Sequence, residues 1–259
     1  MNRISRAFRD KKAFVAFITC GDPDFETTEK CVLAAVENGA DVIELGIPFS
    51  DPTAEGPVIE AASMRALAGG ATTDKAFGLA CRLRSVVSVP LVFMTYANVV
   101  FSYGADRFFK KCHEAGVDGI VIPDLPFEER GEFLGEARRH GVALISMIAP
   151  TSKERTAMIA RQAEGFIYLV SSLGVTGERS TITTDIASIV DIIRRNTAVP
   201  VAVGFGISTP EQARAMASLS DGAIVGSAIV RLVAEHGRDA PEHVGRFVRS
   251  MKTALLEVR

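Results

Sequence analysis

The fold class that the sequence predicts is a closed barrel of eight parallel strands with helices between them, and three observations predict it. Short runs that are apolar on both faces recur along the chain, helix-like stretches separate them, and eight such units fill the 259 residues. A strand with no polar face is buried on both sides, as in a parallel sheet covered by helices. Strict alternation of strand and helix implies right-handed parallel crossovers, and a (β/α)8 barrel takes about 250 residues. No Gly-x-Gly-x-x-Gly follows the first run, which disfavours an open doubly wound sheet. The whole chain, 1–259, is expected to be a single TIM-barrel domain.

The apolar runs cover residues 14–19, 42–46, 91–94, 120–123, 144–148, 166–170, 201–203 and 223–225. Ahead of the first, residues 1–12 are expected to supply an extra N-terminal helix over the barrel bottom. After the first run, Cys31, Val32, Ala35 and Val36 share one helical face. Phe108, Phe109, Cys112 and Ala115 do the same before the run at 120, and Phe133, Leu134 and Ala137 before the run at 144. Gly39, Gly116, Gly141 and Gly165 stand just ahead of strands, where a C′ glycine ends a helix in the left-handed conformation. Pro210 and Pro241 suit a first helical turn. Pro90 and Pro200 lead into strands, where a missing N–H costs no central ladder bond.

A net charge of −2 with no basic stripe argues against nucleic acid as a partner. Cys20, Cys31, Cys81 and Cys112 form no Cys-x-x-Cys and read as reduced packing residues of a cytoplasmic protein. No run is long enough to span a membrane. The basic residues before Ala13 resemble a signal-peptide start, but Gly21-Asp22-Pro23-Asp24 stands where a small-residue cleavage site belongs.

Reacting groups of such barrels come from the C-terminal ends of the strands. Three glycine-bearing loops follow strands six to eight: Gly174-Val-Thr-Gly177, Gly204-Phe-Gly206-Ile-Ser and Gly226-Ser227. Glycines admit backbone N–H groups close to an anion, and a helix N-terminus favours one, so these loops read as a phosphate cradle, the alternative being plain tight turns. Glu44 interrupts the apolar run Val42-Ile-Glu-Leu-Gly46. A carboxyl there is ion-paired, protonated or functional, and burial would raise its pKa toward neutral acid–base work. Asp51 and Asp124 could equally be caps or loop-fixing groups. The lysines (Lys11, Lys12, Lys30, Lys75, Lys110, Lys111, Lys153 and Lys252) avoid the strand ends, which disfavours a Schiff-base aldolase. His113, His140, His236 and His243 lie on or beside helices, which disfavours a metal site. Carboxylate acid–base chemistry on a phosphorylated substrate is what remains.

At this point the motifs converge. Phe17-Ile-Thr-Cys-Gly-Asp-Pro, Glu44-Leu-Gly-Ile-Pro-Phe-Ser-Asp-Pro, Ala54-Glu-Gly-Pro, Tyr96-Ala-Asn, Asp124-Leu-Pro, Tyr168-Leu-Val-Ser, Gly174-Val-Thr-Gly and Gly204-Phe-Gly-Ile-Ser occur in that order. The set resembles the tryptophan synthase α subunits. The resemblance implies a lyase of tryptophan biosynthesis that cleaves indole-3-glycerol phosphate to indole and glyceraldehyde 3-phosphate by a retro-aldol reaction. It implies Glu44 as the proton-transfer group and Glu55 as the carboxylate that meets the indole N–H, with Tyr168 near it. By the same resemblance Gly177, Gly206, Gly226 and Ser227 hold the phosphate. Phe17 and Met94 wall the indole pocket, and Asp51, Pro52 and Thr176 lie in lid or partner loops, a second lid being residues 177–183. The implied partner is a β subunit in an αββα complex, carrying the pyridoxal phosphate, with no cofactor or metal on this chain. One departure stands out: the family commonly has aspartate where this chain has Glu55, a side chain longer by one methylene. Other readings of the same scaffold are a non-catalytic activating subunit, a stand-alone indole-forming lyase and a different phosphosugar isomerase.

Overall fold

A computed structural model describes residues 2–171, 185–204 and 206–258. Eight parallel strands close into a barrel in sequence order: β1 Ala13–Thr19, β2 Val42–Gly46, β3 Leu91–Met94, β4 Gly119–Val121, β5 Ala143–Ile148, β6 Ile167–Val170, β7 Val201–Gly204 and β8 Gly222–Val225. β8 pairs with β1 through Phe14 opposite Ala223 and Val15 opposite Ile224, which completes the ring. Strand positions agree with the apolar runs to within two residues. The largest discrepancy is at β4, which ends at Val121, so that Ile122 and Pro123 already belong to the loop.

Alternation along each strand builds two cores. Phe14, Ala16, Ile18, Ile43, Leu45, Phe93 and Ile120 face outward and pack under the helices. Val15, Phe17, Val42, Val92, Met94, Val121, Ile145, Tyr168 and Ile224 face inward and fill the barrel. The interior is thus a packed solid whose open end must be sought where the strands finish.

The four glycines ahead of strands have φ of 105° (Gly39), 70° (Gly116 and Gly141) and 69° (Gly165), as helix termination in the left-handed region requires. Pro210 begins the helix Pro210–Leu219, where Thr209 and Gln212 form a reciprocal capping box. Pro241 sits in the first turn of Ala240–Leu256. Two successive helices, Pro57–Ala68 and Thr73–Val86, cover the crossover from β2 to β3. Cys20, Cys31 and Cys112 are buried, but Cys81 is exposed, because it lies on the solvent side of Thr73–Val86. It is therefore a surface thiol and not a packing residue. Among the described residues no helix is long and apolar enough to cross a membrane.

The N-terminal segment forms the helix Arg3–Ala7. Ile4 is buried against the barrel's lower end, where an added Cβ at Gly119 or Gly165 would meet its Cδ1 at 3.3 Å. Phe8 packs on Phe166 with ring centroids 5.4 Å apart. Two carboxylates fasten this end. Asp118 accepts from Arg3, from Arg84 and from the Leu91 N–H, each at 3.0 Å. Asp41 accepts from the Phe14 N–H at 2.8 Å and from Lys252 at 2.6 Å, and also pairs with Lys11.

Candidate active site at the C-terminal mouth

The opposite end treats its carboxylates differently. Glu44 points into the barrel in register with Phe17 of β1 and Val92 of β3. It is 1% exposed, and neither Oε1 nor Oε2 has a hydrogen-bond partner. Among the described residues no cation lies within ion-pair distance of it. Burial, and secondarily the charge of Glu55, push its pKa from 4.5 to about 8. A neutral, proton-bearing carboxyl is the state that low dielectric and a like charge favour.

Glu55 lies in the loop after β2, just before the helix Pro57–Ala68. Burial, with a smaller contribution from Glu60, raises its pKa to about 7. The repulsion between the two acids falls mainly on Glu44, the more deeply buried, so Glu44 holds its proton to higher pH. Glu55 is positioned through Tyr96, a buried residue at the start of the helix Ala97–Tyr103. The Tyr96 hydroxyl accepts from the Ala54 N–H at 3.3 Å, and Phe49 stacks on the Tyr96 ring at 5.2 Å. Burial and the nearby Glu55 raise the Tyr96 pKa, so this anchor is a neutral phenol.

Tyr168 stands on β6, opposite Met147 and Ala202, and is 5% exposed. Its pKa is pushed well up by burial and then by the charge of Glu44, which places the two side chains within electrostatic reach. Room for the aromatic rings comes from glycines on neighbouring strands. A Cβ at Gly204 would lie 2.6 Å from Tyr168 Cε1, and one at Gly46 would lie 2.5 Å from Phe17 Cζ. A Cβ at Gly226 would touch Phe17 at 3.4 Å. Phe17 therefore bridges the Glu44 side of the mouth to the glycine side. Met94, at the end of β3, closes the wall and is 4% exposed.

Gly206 is buried with φ 81° in the turn after β7. Gly226 caps the helix Ser227–His236, whose N-terminus opens at the mouth. Gly206, Gly226 and Ser227 thus lie after β7 and β8, the usual phosphate position of such barrels. Asp51 is exposed and bonded to the Ser50 hydroxyl, and Pro52 is half-exposed beside it. Asp124 accepts from the Ala97 N–H at 2.9 Å, tying the loop after β4 to the helix after β3. Thr176, Gly177 and residues 178–183 lie outside the described residues.

Several contributors carry no obvious sequence signal. Gly46 and Gly204 act by steric room for a ring on the next strand. The buried Asp22 accepts two bonds from the largely exposed Arg65, at 2.9 and 2.8 Å, which fastens the helix Pro57–Ala68 to the loop after β1. The Thr19 and Thr95 hydroxyls, at the ends of β1 and β3, are buried without partners. The described group with metal-ligand spacing, Asp106, Glu136 and His140, lies on the outer helices and is bridged by Arg139.

A closed barrel with a buried, unpartnered acid and a second acid in electrostatic reach of it narrows the choice, and comparison with known proteins decides it. The family model described as tryptophan synthase alpha chain matches residues 5–256. The chain belongs to the tryptophan synthase alpha chain family. The alpha chain of Lacticaseibacillus casei is 48% identical over 98% of this chain and 96% of its own length. That of Lactiplantibacillus plantarum is 49% identical over 98% and 97%. The alpha chain structure from Legionella pneumophila superposes with a TM-score of 0.88 at 36% identity, covering 98% and 97% of the two chains. A chain of the tryptophan synthase complex from Pyrococcus furiosus does so with 0.85 at 35% identity, covering 94% and 99%.

Proposed function

We propose that Glu44 and Glu55 perform the proton transfers by which the chain cleaves indole-3-glycerol phosphate to indole and glyceraldehyde 3-phosphate in tryptophan biosynthesis. The observation that carries this reading is the buried, unpartnered carboxyl of Glu44 beside a second acid. Near neutral pH Glu44 is largely protonated and can deliver its proton to indole C3. Positive charge then develops on the ring nitrogen, and the Glu55 carboxylate accepts the indole N–H and stabilises it. Glu44, now a carboxylate, removes the proton of the side-chain hydroxyl. The carbon–carbon bond breaks, its electron pair restores the aromatic ring, and the hydroxyl carbon leaves as an aldehyde. Glu44 ends the cycle protonated, as it began, so the cleavage needs only side chains.

Tyr168 packs over the reacting pair, and Phe17 and Met94 form the apolar walls for the indole. Gly206, Gly226 and Ser227, with Gly177, receive the phosphate, aided by the helix dipole of Ser227–His236. The partner is the tryptophan synthase β subunit, which carries the pyridoxal phosphate, and the complex works in the cytoplasm. Asp51, Pro52 and Thr176 belong to the loops that close over substrate and face that partner. The whole chain acts as one catalytic domain. Retention of Glu55 in place of aspartate is accommodated by a loop anchored on Tyr96.

The test is indole release from indole-3-glycerol phosphate by the purified chain, alone and with its β subunit. Release by the wild type and a loss of at least about a hundredfold in Glu44→Gln is the expected result. A Glu44→Gln chain that turns over like the wild type overturns the assignment.

A further inference from the structure

The lower end of the barrel holds an open depression of about 540 Å³ between the helix Arg3–Ala7 and the loop ahead of β3, at the opposite end from the reacting pair. Arg3, Arg6, Lys11 and Arg84 line it, and Asp41 is the one carboxylate among the described residues that do. Ser88 adds a hydroxyl, and the rest of the wall is short and apolar, Val89 and Pro90 included. The i, i+3 spacing brings Arg3 and Arg6 to one face of their helix. The side chains of Arg3 and Lys11 are each 40% exposed, and Arg6 and Ser88 are exposed, so solutes can reach their donors.

These donors fall into two groups. Arg84 is committed to the fold: it donates to the carbonyls of Gly116, Val87 and Val89 and to Asp118, each at 3.0 Å. Arg3 gives only Nη1 to Asp118, and Lys11 pairs with Asp41, which Lys252 also meets at 2.6 Å. Arg6 is left over. Among the described residues its guanidinium has no hydrogen bond and no ion pair, and the Ser88 hydroxyl has no partner either. Arg6 stands in the last turn of a helix of only five residues, whose dipole is a weak reason for its charge. Five cations thus stand against two carboxylates, Asp41 and Asp118, an excess of three positive charges in a chain whose net charge is −2. Like charges gathered in this way repel, and an anion on the free donors relieves the repulsion.

We infer that this depression binds a small organic phosphate ester of about nucleotide size, its phosphoryl group received by Arg6, Arg3, Lys11 and Ser88 and its organic body laid against Val89 and Pro90. An arginine fork takes two phosphate oxygens at once, and charge-assisted bonds of this kind are the strong ones. A dianion answers the excess of positive charge better than a single carboxylate, which would leave most of it unmet. The volume is that of an organic ligand, since small-molecule sites run from about 300 to 1,000 Å³. Inorganic phosphate would fill a small part of it and leave the apolar wall bare. Bound there, the ester bridges the N-terminal helix to the loop ahead of β3 and stabilises the fold by mass action. None of Glu44, Glu55, Tyr168, Gly226 or Ser227 lines the depression, so the site does not depend on the catalytic assignment.

The test uses the full chain with adenosine monophosphate as probe, followed through the methyl resonances of Ala7 and Val87, which line the depression, and of Met94 at the mouth. Saturable shifts of Ala7 and Val87 are expected, with a rise in melting temperature. Adenosine and inorganic phosphate should each bind at least about tenfold more weakly. Arg6→Glu and Ser88→Glu place a negative charge at exposed positions whose side chains have no partner, so the fold should survive while binding weakens at least about tenfold. Lys110→Glu changes the net charge as Arg6→Glu does, but on the exposed side of the helix Ala105–Glu114, and should bind like the wild type. Any of five results overturns the inference: no saturation, shifts confined to Met94, inorganic phosphate binding as tightly as the ester, equal binding by either variant at Arg6 or Ser88, or an equal loss in Lys110→Glu.

Discussion

Replacing Glu44 by glutamine should stabilise the protein while it removes nearly all cleavage. The folded-state pKa of about 8 lies above the ordinary 4.5. Between those values the folded chain binds more protons than the unfolded chain, so stability falls as pH rises, and the loss is complete above about 8. Each pH unit of that interval is worth about 1.4 kcal/mol, which sets a ceiling near 5 kcal/mol. Relaxation around the charge and the titration of Glu55 reduce this, and we expect on the order of 3 kcal/mol at pH 9. For a chain of this size that is roughly 6 to 12 °C in melting temperature. Glutamine keeps the shape and the hydrogen-bonding demand of the neutral acid but cannot ionise, so the gain should vanish near pH 5. Indole release should fall by about 10²- to 10⁴-fold, the usual worth of a positioned acid–base group, with little change in binding of the product glyceraldehyde phosphate. The assay is thermal unfolding of both proteins from pH 5 to 9 beside an indole-release measurement. Unfolding curves whose separation is the same at pH 5 and pH 9 would refute the reasoning, because packing and not ionisation would then explain the difference.

The same two acids set the pH profile: kcat/KM should be bell-shaped, rising as Glu55 ionises near 7 and falling as Glu44 loses its proton near 8. A flat profile from pH 6 to 9 would exclude the pair. Glu55→Ala should lose most of the activity. Glu55→Asp should lose roughly 10- to 100-fold, because a loop anchored on Tyr96 for a glutamate leaves the shorter acid about 1 Å from where it is needed; wild-type kinetics in the Asp variant would mean that the loop adjusts freely. Gly204→Ala should cost about 1–3 kcal/mol, since its Cβ would fall 2.6 Å from Tyr168 Cε1. In a Tyr168→Ala background the same change should cost almost nothing, and additivity of the two would show that the ring is not the obstacle.

Most of the barrel was legible because its signals are local. Doubly buried strands read as unbroken apolar runs, and the C′ glycines and N-terminal prolines stand at their own boundaries. Glu44 was legible for the same reason, as a carboxylate inside such a run. Glu55 was not, since a loop acid looks solvated until Tyr96 and the fold bury it, and only the family resemblance singled it out. Gly46 and Gly204 depend on rings carried by other strands. Asp22 with Arg65 depends on a distance across tens of residues. The exposure of Cys81 turns on which face of its helix meets the barrel, a choice that its apolar neighbours Ala80 and Leu83 decide.

The contrast between the two ends of the barrel explains why those distant relationships matter. At the bottom, Asp41 and Asp118 each collect cations and a backbone N–H, and a buried acid so satisfied holds elements together. At the top, a similar supply of cations would defeat the chemistry. A lysine or arginine beside Glu44 would hold it ionised through the neutral range and leave no proton for indole C3. The like charge of Glu55 does the opposite and keeps the proton on Glu44 until substrate arrives. The unsatisfied oxygens of Glu44 are thus a cost that the proposed proton transfer requires, and the fastened lower end offsets it.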